Sequence, residues 1–154
     1  MSAPRRCRIH VVVIATLSLA VAHLCGQAPP SQVFEVPRLV GSGVHANGTG
    51  MERMVWQQLV EVKYVHWLKL RFRQAELPGT SRVEIKSCRD GHTQALDAAA
   101  MRQWFPHSAY FNGDALIIRL FAGPHTERVS IAIEAVEVGL PPYQQDSICG
   151  STDD

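Results

Sequence analysis

The stretch Ser108 to Phe121 constrains the fold more than any other part of the chain. Tyr110 and Phe111 lead into Asn112-Gly113, a dipeptide that readily takes the positive φ angles of a tight turn. In the run that follows, Leu116, Ile118 and Leu120 point one way, and Ala115, Ile117, Arg119 and Phe121 the other. Both faces are largely apolar, which predicts a strand at the centre of a sheet, buried on two sides. A buried helix of that length is the alternative; the adjacent isoleucines and the turn ahead of them favour the strand.

The neighbouring segments follow the same period. His66, Leu68, Leu70 and Phe72 alternate with Trp67, Lys69, Arg71 and Arg73, a strand with one apolar and one solvated face. Pro78-Gly79 turns the chain into Ser81 to Ser87, where Val83 and Ile85 alternate with Glu84 and Lys86. Asp90-Gly91 is a second tight turn, into His92 to Leu96. Met54 to Val62 fits a helix or a strand, and its neighbours favour the strand. In Glu127 to Gly139 the apolar phase slips from Val129, Ile131 and Ile133 to Val136 and Val138, the signature of a β-bulge or of a strand bending between sheets. One short helix interrupts the pattern: Asp97 caps a run of alanines, and Pro106 stops it, with Met101 and Trp104 expected on the sheet. The expected fold is all-β, an antiparallel β-sandwich of jelly-roll type with one short helix.

The ends read differently. Arg5, Arg6 and Arg8 followed by the 14 apolar-rich residues Ile9 to Ala22 make residues 1–26 a secretory signal peptide, too short to span a bilayer, which takes about 20 residues. Cys25 lacks the small neighbours of a lipidated cysteine. Residues 27–50, rich in proline and glycine, read as a linker or lead-in, with Val33 to Val40 as a candidate edge strand. The sequon Asn47-Gly48-Thr49 reads as coincidence. Residues 51–140 form the sandwich domain, and Pro141-Pro142 opens an extended tail, 141–154. Removing the three leader arginines from 15 basic residues leaves 12 against 14 acidic ones, a balance of −2 that gives no electrostatic reason to expect nucleic acid. The expected location is secreted or periplasmic, with no membrane attachment after leader cleavage.

Chemistry is sparse. The seven histidines fall into no metal-ligand spacing, and His66 reads as a core residue on an apolar strand face. Asp90, Asp97 and Asp114 are the one carboxylate set with sandwich-loop placement for calcium, without the spacing of a helix–loop–helix site. Glu134 and Glu137, three apart in a strand, fall on opposite faces unless a bulge intervenes. No nucleophile motif or phosphate loop is present, so no catalytic residue and no cofactor is expected. Trp56, Trp67, Trp104, Tyr110 and Phe111 fill the core or form a sugar platform. Trp67 and Arg71, sharing the solvated face, are the candidate ligand platform; the alternative is that the long basic side chains cover the indole.

Val65 to Phe72, Cys88 to Leu96, Trp104 and Ser108 to Asp114 resemble, in order and spacing, the N-terminal β-sandwich of secreted bacterial trypsin-like serine proteases. The tail Gln145 to Asp154 is similar to the junction that precedes the protease domain, with Ser151 where the family has proline. Cys88 stands where a leucine is expected, which marks it as a free, buried thiol. The resemblance covers residues 54–154, and it implies that the catalytic His, Asp and Ser would all lie beyond Asp154. It implies an accessory or pro-region module, non-catalytic in itself, whose partner is the protease domain. It also implies that Cys149 serves an interdomain disulfide; the competing pairing is Cys88 with Cys149, closing a loop of about 60 residues. The other functional expectation is a stand-alone binding module for a polysaccharide or an envelope protein.

Overall fold

A computed structural model describes residues 32–140. The leader, Cys149 and the C-terminal tail lie outside the described residues. Nine strands and one helix follow in order: β1 Val33–Gly41, β2 His45–Asn47, β3 Arg53–Glu61, β4 Trp67–Glu76, β5 Arg82–Ser87, β6 Thr93–Asp97, α1 Ala98–Trp104, β7 Phe111–Asn112, β8 Ala115–Ala122 and β9 Thr126–Gly139. One sheet runs β1-β9-β4-β7 with β2 added beside β9; the other runs β3-β8-β5-β6, and every pairing within each sheet is antiparallel. With β2 set aside, the eight remaining strands are those of a jelly roll, each sheet drawing alternately from the two halves of the chain.

The core lies between the sheets and follows from strict alternation. Leu68, Leu70 and Phe72 of β4 meet Leu116, Ile118 and Leu120 of β8, with Val83, Ile85, Ile131, Ile133, Val136 and Val138 around them, each at most 3% exposed. β8 is an inner strand, but only one of its faces is buried. Ala115, Ile117, Arg119 and Phe121 are half-exposed on the outer face, because a two-layer sandwich has no third layer to cover them. There Arg119 donates to Glu84 at 2.9 Å and to Gln57 at 3.0 Å, and the Arg82 guanidinium lies 4.3 Å from the Phe121 ring centre.

Several expectations change. Within the lead-in, the candidate edge strand Val33 to Val40 is β1, at the edge of its sheet, and β2 joins it in covering one side of β9. The slip in β9 is a bulge: Ala135 pairs Arg71, Ile133 pairs Phe72, and Glu134 is the extra residue between them. β1 shifts register at the same level. His66 is exposed, not in the core. β4 begins only at Trp67, and the alternation reaches His66 at the rim, where no opposing sheet remains. In α1, Asp97 accepts from Ala99 N–H and Ala100 N–H as the cap requires, and Met101 is buried, but Trp104 is 46% exposed. Seven residues give two turns, enough to seat one of the two side chains. Cys88 is exposed, not buried. It continues the outward phase of Glu84 and Lys86 one step past the end of β5.

Asn47 is 3% exposed and spans a gap between loops. Its amide donates to Met51 O, Ala122 O and Gly123 O at 2.8 to 3.1 Å, while its carbonyl accepts from Thr49 N–H and the Thr49 hydroxyl. The sequon is therefore a buried staple, with no free nitrogen to carry a glycan.

Candidate functional site

Two surfaces stand out, and strand register builds both. The first is the outer face of the five-stranded sheet. β4 places Trp67 opposite Gly139, Lys69 opposite Glu137 and Arg71 opposite Ala135, all pointing outward. Trp67 lies across Gly139 so closely that a Cβ at that position would fall within the indole ring. A glycine there is what lets the ring rest on the backbone of β9. Tyr110 stands against Trp67 with the rings 84° apart and their centres separated by 4.7 Å; Tyr110 itself is 60% exposed. The Lys69 ammonium lies 5.1 Å from the Tyr110 ring centre and 2.8 Å from Glu137 Oε2.

The bulge brings Glu134 to the same face as Glu137, against the simple alternation read from the sequence. His107 Nε2 sits 2.8 Å from Glu137 Oε1, and Arg71 reaches Glu35 at 2.8 Å and Glu134 at 2.9 Å. The Arg71 Nε contact to Glu134 is a proximity of charges without an aligned hydrogen bond. Partial burial pushes the Glu137 carboxyl up, but Lys69 and His107 outweigh that and hold it below its ordinary value. The sequence pointed to Trp67 and Arg71, and both are here. It weighed Glu137 only as half of a carboxylate pair with Glu134 and missed His107, which is carried in by a segment that follows the edge of β4. That segment is held by Pro106 O accepting from Phe72 N–H at 2.6 Å and by Ser108 N–H donating to Leu70 O at 3.0 Å. The one available signal for Gly139 was a glycine ending a long strand at the level of a tryptophan.

The second surface is the flank where, among the described residues, β1 and β3 are the edge strands of their sheets. A cleft of ≈ 470 Å³ between them is lined by Arg38 to Gly41 and Gln58 to Val60. Leu39 and Leu59 are 81% and 52% exposed at its rim, and Arg38 reaches across to donate to Glu61 O at 2.8 Å. Val62 N–H donates to Asp114 O, a phase that turns the backbone groups of Gln57, Leu59 and Glu61 away from β8 and out to the free edge. The matching bond from Leu140 N–H to Gln32 O turns Val33, Glu35 and Pro37 outward from β9. Pro37 thus places its missing N–H on the free edge, where it costs the sheet nothing and blunts pairing with another chain.

The other sequence candidates do not converge. Asp97 is spent on the helix cap. Asp90 accepts from His92 N–H at 3.0 Å and from the Asn112 amide at 2.8 Å, joining the turn after β5 to the turn before β8. These bonds, with a lesser contribution from Ser87, lower its pKa from 3.8 to about 2. Among the described residues no group of three or more His, Cys, Asp or Glu is placed to hold a metal ion. No helix among them is long and apolar enough to cross a membrane. Phe111 is fully buried and Trp56 half-buried, so of the five aromatics only Trp67 and Tyr110 share a surface contact. No family model matches the chain, and neither the curated proteins nor the solved structures yield a match.

Proposed function

We propose that this chain is a non-catalytic accessory module of an exported trypsin-like serine protease, acting by docking against the protease domain. The observation that carries the reading is the β1/β3 flank: two free sheet edges, an open cleft, and Leu39 and Leu59 left facing solvent. Exposed leucines gathered at the rim of one cleft are what a covering domain would remove from water. The kind of neighbour comes from the sequence resemblance over residues 54–154. In contrast, the charged residues of the outer face are engaged with one another and present no nucleophile beside a base.

The reading frame that follows codon 154 is the first test. A protease sequence there, in phase or one frame away, is the expected result; an unrelated gene after a clean stop overturns the reading. Given that domain, sedimentation of a mixture should show a complex that Leu39→Glu together with Leu59→Glu weakens at least tenfold, the double variant keeping the parent's unfolding midpoint.

A further inference from the structure

We propose that the outer face of the five-stranded sheet is a binding site for neutral carbohydrate, centred on the corner formed by Trp67 and Tyr110. This does not depend on the accessory reading, because the corner belongs to β4 and the segment beside it, whereas the docking flank belongs to β1 and β3.

The corner has the two parts that sugar recognition needs. A pyranose offers a face of C–H groups and a rim of hydroxyls, so a site for it pairs an aromatic plane with fixed polar groups. Tyr110 supplies the plane. It is 60% exposed, braced by Trp67 at 84° and by the Lys69 ammonium 5.1 Å from its ring centre, so it is held upright at a strand edge without being covered. Gly139 fixes the other plane by leaving room for the indole to lie on β9. Beside the rings, Glu137, Lys69 and His107 hold one another at 2.8 Å. Two of them keep further hydrogen-bonding capacity: Lys69 has donors beyond the one directed at Glu137, and each Glu137 oxygen has a second lone pair. Groups already positioned by their neighbours lose little freedom when a hydroxyl arrives, which favours binding over ordering cost.

Charge decides which carbohydrates fit. Next to the corner, the carboxylates Glu35, Glu134 and Glu137 stand against the cations Lys69 and Arg71. Both cations are already paired with carboxylates. At the corner a sulfated or uronate-rich chain would meet carboxylates and cations already paired with them, whereas a neutral glycan needs only donors and acceptors.

Native gel electrophoresis of the full chain through gels holding a soluble polysaccharide tests this, with hydroxyethylcellulose, glucomannan, mixed-linkage glucan and dextran as neutral chains and alginate as an acidic one, each run separately. Retardation is expected with at least one of the neutral chains. Tyr110→Ala should weaken that retardation at least tenfold, since the ring is mostly exposed and its loss leaves the core intact; far-ultraviolet circular dichroism and the unfolding midpoint confirm that the variant is folded. Leu39→Ala, on the flank, should bind as the parent does. The proposal is overturned by no retardation with any of the four, by retardation that survives Tyr110→Ala in a folded variant, or by retardation confined to alginate, which would place the charge assignment in error.

Discussion

Asn47 carries more of this fold than its place at the end of the three-residue strand β2 implies. Its amide meets three main-chain carbonyls and its own carbonyl takes two donors, all at a position 3% exposed. Truncation removes the Asn47 donor from the buried carbonyls of Ala122 and Gly123, while Met51 O keeps the Thr49 hydroxyl; buried orphans cost about 1–3 kcal/mol each. Asn47→Ala should therefore lower unfolding free energy by about 2–4 kcal/mol in urea titrations. A loss below about 0.5 kcal/mol, ordinary for a surface site, would contradict the staple. Asp90 makes a pH-dependent prediction. Its carboxyl is held at about 2 in the folded chain against 3.8 ordinarily. Its contribution is present in full above the ordinary value and disappears as pH falls through the folded one. The melting temperature of the parent should exceed that of Asp90→Ala at pH 5, and the gap should close between pH 4 and pH 2. A gap of constant size across that range would mean the carboxylate charge has no part in joining the two turns. Glu137 follows the same sign, with a contribution lost on acidification, because its folded carboxyl also lies below the ordinary value.

At the scale of the element, β8 shows how one strand divides its labour. Ile118 is fully buried and faces the opposing sheet, while Ile117 next to it is half-exposed on the outer face. Ile118→Ala removes three methyl-sized groups from a packed interior and should cost about 2–5 kcal/mol; Ile117→Ala should cost under about 1.5 kcal/mol. Equal unfolding midpoints for the two variants would show that β8 is not an inner strand of a two-layer fold. The same alternation explains Lys69. Its face carries charge, yet its side chain is only 16% exposed and is tied to Glu137, so it is part of a cross-strand pair and not a free surface lysine.

For the whole molecule, the decisive contact is between the ends of the described chain. β1 pairs along β9 from Val33 opposite Gly139 to Gly41 opposite Ala132. If residues 33–41 were a linker, their removal would leave the sandwich intact. In the jelly roll it strips one side of β9 and opens the core over Val36 and Val40, both packed against it. A chain beginning at Gly43 should lose cooperative thermal unfolding, or form aggregates through the bared edge of β9, as followed by calorimetry and light scattering. A sharp, unchanged transition in the shortened chain would restore the linker reading.

Much of this architecture was legible in the residues themselves. Period-two alternation marked the core faces of β4, β5 and β8, the Asp-Gly and Asn-Gly turns marked their ends, the capped alanines marked α1, and the phase slip after Ile133 marked the bulge. These are local signals, each contained within a few residues of backbone geometry. What tertiary structure decided depends on partners distant in sequence. Val33 to Gly41 became a strand because β9, about 100 residues away, offered it an edge. His66 lies outside the core because β4 begins only at Trp67, and Cys88 because it falls in the outward phase of Glu84 and Lys86. Glu134 and Glu137 came to one face because the bulge is shared with β4 and β1. Tyr110, Trp67 and Gly139 form a corner only because antiparallel register sets three separate segments side by side, and register is a property of the assembled sheet.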